Sequence, residues 1–186
     1  MKKITGKFML AVVGWKFKSV PPIKAYKKSV LVCAPHTSNW DFYYGIAAFW
    51  SMGISYRILI KDNYTRTWYG FIFKALGCIG VDRSRHTNLV EYTAELIKNS
   101  ESMALINTPE GTRSWSDKWK KGFYYIAKEA GVPIALAYGD YKNKIAGIHC
   151  IISVEDKTIE QVFEEIEQFY TPEMAKFPEK YNPKIY

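Results

Sequence analysis

Short apolar runs recur along this chain, and all but one are followed by a stretch with helical spacing. Residues 30–34, Val-Leu-Val-Cys-Ala, are the clearest case. A strand with one wet face alternates apolar and polar residues, whereas an unbroken apolar run suits a strand covered on both faces. Comparable segments lie at 57–60, 78–81, 103–106, 133–137 and 145–154. Helical patterns fall at 40–51, 68–76, 88–99, 121–129 and 158–170. Ser38 or Asn39 stands where the first needs a cap, and Asn88 and Glu91 have capping-box spacing. In the last, Ile159, Val162, Phe163 and Ile166 share the inward side. The pattern implies an α/β fold, a single layered domain with a mainly parallel central sheet flanked by helices. Sites in such sheets form at the C-terminal ends of strands.

A chain of 186 residues is most simply one domain with a sizeable core, and 48% hydrophobic content excludes a disordered chain. Cys33, Cys78 and Cys150 lack paired spacing and sit in apolar stretches. They read as buried free thiols of a reducing compartment. The formal net charge is +8, and eight lysines precede residue 29, whereas the first acid is Asp41. All the excess charge therefore lies in the first 28 residues. That placement argues against a nucleic-acid-binding face on the fold. Ile4, Phe8, Ala11, Val12 and Trp15 recur at helical spacing within this segment. The apolar run over 8–13 is far short of the about 20 residues that span a bilayer. A basic amphipathic helix on an anionic membrane surface fits, and so does a helix packed on the domain. The expected location is cytoplasmic, peripherally associated with the inner membrane face. The last sixteen residues hold three prolines and read as an irregular arm packed through Phe177 and Tyr181.

Two segments carry chemistry. Pro35-His36-Thr37-Ser38-Asn39-Trp40-Asp41 follows the first apolar run, and Pro109-Glu110-Gly111-Thr112-Arg113 follows another. His36 is a candidate general base, and Asp41, in the first turn of the next helix, can reach back to orient its ring. Gly111 permits close approach of a ligand to the backbone, and Thr112 and Arg113 can bind phosphate oxygens. Arg83, after the 78–81 segment, is a second candidate phosphate contact. Glu110 suits holding an arginine or an acceptor hydroxyl. Lys120 and Lys121 precede Gly122 at a predicted helix start and read either as a solvated pair or as an anion contact. Together these supply a base and an anion cradle, as transfer of a group onto an alcohol of a phosphorylated molecule requires. No Gly-x-Ser-x-Gly elbow, Walker A loop or dinucleotide fingerprint is present, and His86 and His149 have no partner at metal-ligand spacing. No metal or cofactor is expected.

With Gly77-Cys78-Ile79-Gly80-Val81-Asp82-Arg83 between these segments and Gly131-Val132-Pro133-Ile134 after them, the chain resembles the glycerolipid acyltransferases, the group that includes lysophosphatidic acid acyltransferases. The resemblance covers about residues 30 to 138. It implies transfer of a fatty acyl group from acyl-CoA or acyl carrier protein to a lyso-phospholipid hydroxyl, with 1-acyl-glycerol 3-phosphate the first choice of acceptor. It implies His36 and Asp41 as catalytic, and Arg83, Glu110, Gly111, Thr112 and Arg113 as acceptor-binding. The expected organisation is a basic amphipathic segment over 1–28, an acyltransferase domain over 29–170 and an arm over 171–186. Pro-His-Thr-Ser stands where Asn-His-Gln-Ser is common, and Thr108 where Phe is common. Another lyso- or amino-lipid acceptor stays open, as does a non-catalytic anionic-lipid-binding module.

Overall fold

In the computed structural model, which describes residues 1–82 and 88–186, strands and helices alternate along the chain. In order they are α1 (Lys2–Val12), β1 (Lys16–Ser19), β2 (Lys28–Ala34), α2 (Trp40–Met52), β3 (Tyr56–Lys61), α3 (Asp62–Arg66) and α4 (Gly70–Ala75). Then come β4 (Cys78–Val81), α5 (Leu89–Lys98), β5 (Met103–Asn107), α6 (Gly122–Ala130), β6 (Ile134–Asp140), β7 (Ile145–Ile152) and α7 (Ile159–Glu167). The helix expected over 68–76 starts later, at Gly70, and α3 precedes it. All seven strands form one sheet in the order β1-β7-β6-β2-β5-β3-β4. Every pairing is parallel except β6 with β7, where the short connection between Asp140 and Ile145 enforces a hairpin.

The unbroken apolar run of β2 has a direct cause. Val30 and Val32 pack on one side of the sheet with Ile97, Phe123 and Phe163 of the later helices. Leu31 points to the other side and meets Leu10, Ile46 and Phe49 from α1 and α2. Both faces of the strand are thus covered, and a polar residue on either would lose its water.

The N-terminal segment joins this fold instead of standing apart. β1 pairs with β7 along Lys16–Ser19. α1 packs on α2 through Gly6 and Leu10, both buried. A Cβ at Gly6 would lie 2.5 Å from the Ala47 carbonyl oxygen and 2.8 Å from the Ser51 nitrogen, so only hydrogen fits there. The expected apolar face is divided. Ile4, Phe8 and Val12 are 75%, 68% and 67% exposed, and Ala11 is exposed beside them. Trp15 lies beyond the helix end and is buried, stacked on Tyr44 at 3.9 Å between centroids. Periodicity identifies which residues share a face, but the close approach at Gly6 decides which face turns inward. A Gly6→Val protein should therefore lift α1 from α2 and lose about 1–3 kcal/mol, the usual cost of overpacking. Urea unfolding measures this, and an unchanged midpoint would show that α1 does not dock through Gly6. Among the described residues no helix is long and apolar enough to cross a membrane.

Candidate active site

β6, β2 and β5 are adjacent and parallel, so their C-terminal ends share one rim of the sheet. Each is followed at once by residues of the site. His36 follows β2, Glu110 follows β5 and Tyr141 follows β6. Segments distant in sequence converge here because parallel strands end on the same side.

His36 and Asp41 meet as their spacing predicts. His36 Nδ1 lies 3.1 Å from Asp41 Oδ2. The same carboxylate oxygen accepts the backbone N–H groups of Thr37 at 2.9 Å and Ser38 at 2.8 Å. Asp41 is the second residue of α2, where the unpaired N–H groups of the helix start favour a carboxylate. Its other oxygen, Oδ1, accepts the Tyr141 hydroxyl at 2.6 Å. Ser38, one of the two expected caps, accepts the Trp40 N–H at 3.2 Å through its hydroxyl, and the Asn39 side chain makes no cap bond. With Nδ1–H directed to the carboxylate, Nε2 carries the lone pair. Among the described residues Nε2 has no hydrogen-bond partner, and His36 lines a cavity of about 490 Å³. Apolar groups of Phe42, Ile46, Phe49, Ile58, Leu105 and Ile106 form much of its wall.

Glu110 is turned inward, at only 7% exposure. Its Oε2 accepts the backbone N–H of His36 at 2.8 Å, so it ties the β5 loop to the β2 loop. It holds neither an arginine nor a free surface among the described residues. Oε1 is buried without a hydrogen-bond partner in the described structure. Burial pushes the carboxyl up from 4.5 to about 8, the His36 N–H opposes that shift, and the nearby Asp41 charge adds to it. A folded-state value raised above the unfolded one gives stability that is fully present below 4.5 and lost as pH rises through about 8. Glu110→Gln keeps an acceptor for the His36 N–H but cannot ionise. The stability of the natural protein relative to this variant should thus fall between those limits, as measured by urea midpoints across pH. A flat difference would contradict the buried neutral carboxyl.

The rest of this loop divides. Gly111 lies on the cavity wall with a φ of +69°, a conformation that suits glycine. Lys120, also on the wall, passes close over it, with the Lys120 backbone N–H donating to the Pro109 carbonyl at 2.8 Å. Thr112 and Arg113 are exposed and do not line the cavity. The Thr112 hydroxyl accepts the Ser114 N–H at 3.2 Å, and Arg113 makes no ion pair among the described residues. Arg83 lies outside the described residues.

Sequence reasoning missed Tyr141. It is one of 14 tyrosines and belongs to no motif. Its only signal was position, since it follows β6 and strand ends are where such sheets place their sites.

Comparisons with known proteins bear on the family and the fold. A family model described as Acyltransferase matches residues 16–136. A probable 1-acyl-sn-glycerol-3-phosphate acyltransferase of Mycoplasma pneumoniae is 34% identical over 134 residues, covering 67% of this chain and 49% of the relative. The chain thus spans about half the length of that curated relative. The crystal structure of the 1-acyl-sn-glycerophosphate acyltransferase PlsC from Thermotoga maritima superposes with a TM-score of 0.62, covering 90% of this chain and 74% of that one. At 16% identity, this likeness shows the fold. A family match over most of the chain, on a sheet whose rim joins His36 to Asp41, places this protein in the acyltransferase family.

Proposed function

We propose that this chain moves a fatty acyl group from a thioester, acyl-CoA or acyl carrier protein, to the free hydroxyl of a lyso-phospholipid. The acceptor that fits best is 1-acyl-glycerol 3-phosphate, the substrate in the name of the Mycoplasma relative. The observation that carries the reading is the 3.1 Å contact between His36 Nδ1 and Asp41 Oδ2, with the other ring nitrogen unpartnered beside an apolar cavity. Nε2 of His36 takes the acceptor's proton as its oxygen attacks the thioester carbonyl. The tetrahedral intermediate collapses, the C–S bond breaks, and the imidazolium returns the proton to the leaving thiolate. Asp41 stabilises the charged ring between those steps. No protein nucleophile is needed, because the attacking oxygen belongs to the acceptor. The cavity wall of Phe42, Ile46 and Phe49 suits an acyl chain.

On this reading residues 29–170 form the catalytic unit and 171–186 an arm. That arm reaches the rim, where the Phe177 N–H donates to the Thr37 hydroxyl at 3.3 Å. Residues 1–28 hold the protein reversibly on an anionic membrane at the cytoplasmic side. Ile4, Phe8 and Val12 are exposed beside Lys3 and Lys7, an apolar stripe flanked by cations.

Gly111, Thr112, Arg113 and Arg83 bind the acceptor phosphate on this reading, and Glu110 supports them from beneath. Arg113 is exposed with no ion pair among the described residues, which leaves its guanidinium free for an anion. Arg113→Ala should raise the KM for a phosphate-bearing acceptor about 10–100-fold, the loss of one charge-assisted bond. The donor KM and the rate on a phosphate-free acyl-glycerol should change little. A panel of lyso-lipids with and without the phosphate tests both the acceptor class and this residue. Equal use of all acceptors by both proteins would contradict the phosphate reading.

A further inference from the structure

Tyr141 touches the carboxylate that meets the His36 ring. The two oxygens of Asp41 are divided between different partners. Oδ2 serves the His36 ring and the Thr37 and Ser38 N–H groups, while Oδ1 accepts the Tyr141 hydroxyl at 2.6 Å. The phenol is itself held from several sides. Trp15 meets its ring edge-on at 4.9 Å and 85°, and Tyr44 does so at 5.6 Å and 87°. The Tyr141 N–H donates to the Met174 carbonyl at 3.0 Å. Asp140 closes the adjoining turn by accepting the Asn143 N–H at 2.9 Å and its amide at 2.7 Å. A ring fixed by α2, by Trp15 just before β1, by the β6–β7 turn and by the C-terminal arm is more than a bystander on a carboxylate. Burial first, then the neighbouring carboxylate, push the phenol's pKa up, so it stays a donor.

We propose that Tyr141 is a positioning residue for the transfer reaction, holding the Asp41 carboxylate so that Oδ2 stays on His36 Nδ1. The proposal rests on the transferase reading above. A hydroxyl on Oδ1 fixes the carboxylate plane and takes a share of its negative charge. Without it, Asp41 is less well oriented, and its charge falls more fully on the His36 ring. The first effect lowers turnover. The second favours the imidazolium, so His36 should lose its proton at a higher pH. The groups facing this carboxylate are His36, Tyr141, Ser38 and, through space, Glu110; Tyr44 faces the phenol.

Tyr141→Phe removes the hydroxyl and keeps the ring contacts. Its kcat should fall about tenfold to a hundredfold while both KM values stay within about twofold. The acidic limb of its pH–rate profile should move to higher pH. So should the ring titration of His36, followed by NMR in the resting protein without substrate. On an Asp41→Asn background, Tyr141→Phe should add little further loss, because it acts through Asp41. A merely structural tyrosine would lower stability, leave the His36 titration in place and add its full loss to Asp41→Asn. An unmoved His36 titration, or additive losses, would overturn the proposal. An inactive natural protein whose His36 titration still moves would overturn the transferase reading on which it rests.

Discussion

A His36→Ala protein is expected to fold normally and to lose transfer by at least the roughly 10²–10⁴ that a positioned general base contributes. The His36 side chain is 23% exposed, at a loop beyond the end of β2, so its removal opens no core cavity. Its backbone N–H, which ties it to Glu110 at 2.8 Å, survives the substitution. What disappears is Nε2, the only ring nitrogen free to take the acceptor's proton. Thermal unfolding and steady-state turnover on one preparation separate the two effects. A folded variant with near-natural turnover would remove the base from the account.

Asp41→Asn should be nearly as damaging, by roughly 10²–10⁴ in kcat, although it is almost isosteric. The Asp41 oxygens accept four donors, from His36, Thr37, Ser38 and Tyr141, and donate nothing. An asparagine has one acceptor oxygen and an NH₂ group. With its oxygen in the Oδ2 place, it keeps the loop contacts and the His36 tautomer but carries no charge to stabilise the imidazolium. With its amide turned the other way, NH₂ meets N–H groups and the ring flips to the wrong tautomer. Either arrangement slows the chemical step more than substrate binding, so kcat should fall with little change in KM. A variant that loses affinity while keeping kcat would assign Asp41 to binding.

The legible parts of this molecule were those decided locally or by the covering of a strand. The run Val30 to Ala34 signals burial on both faces, and β2 is the strand between β6 and β5. The contact of His36 with Asp41 was also legible, because a loop and one helical turn bring two nearby residues together. What escaped was non-local. Glu110 stood in a motif, but its tie to the backbone of His36 spans 74 residues of chain and leaves no local trace. Tyr141 lies 100 residues from its partner and looks like any turn tyrosine. β1 reads Lys-Phe-Lys-Ser, which has no apolar run because this edge strand is exposed along most of its length. The outward turn of Ile4, Phe8 and Val12 depends on a backbone contact between Gly6 and Ala47 that no periodicity encodes.

The most direct test follows the acyl group itself. The purified protein is incubated with an isotopically labelled acyl thioester and 1-acyl-glycerol 3-phosphate, and the lipid products are identified by mass spectrometry. The predicted result is a labelled diacyl phospholipid, esterified at the formerly free hydroxyl, formed one-for-one with released thiol and absent with the His36→Ala protein. Thiol release with only free fatty acid, or labelled product undiminished in the His36→Ala protein, would contradict transfer through His36.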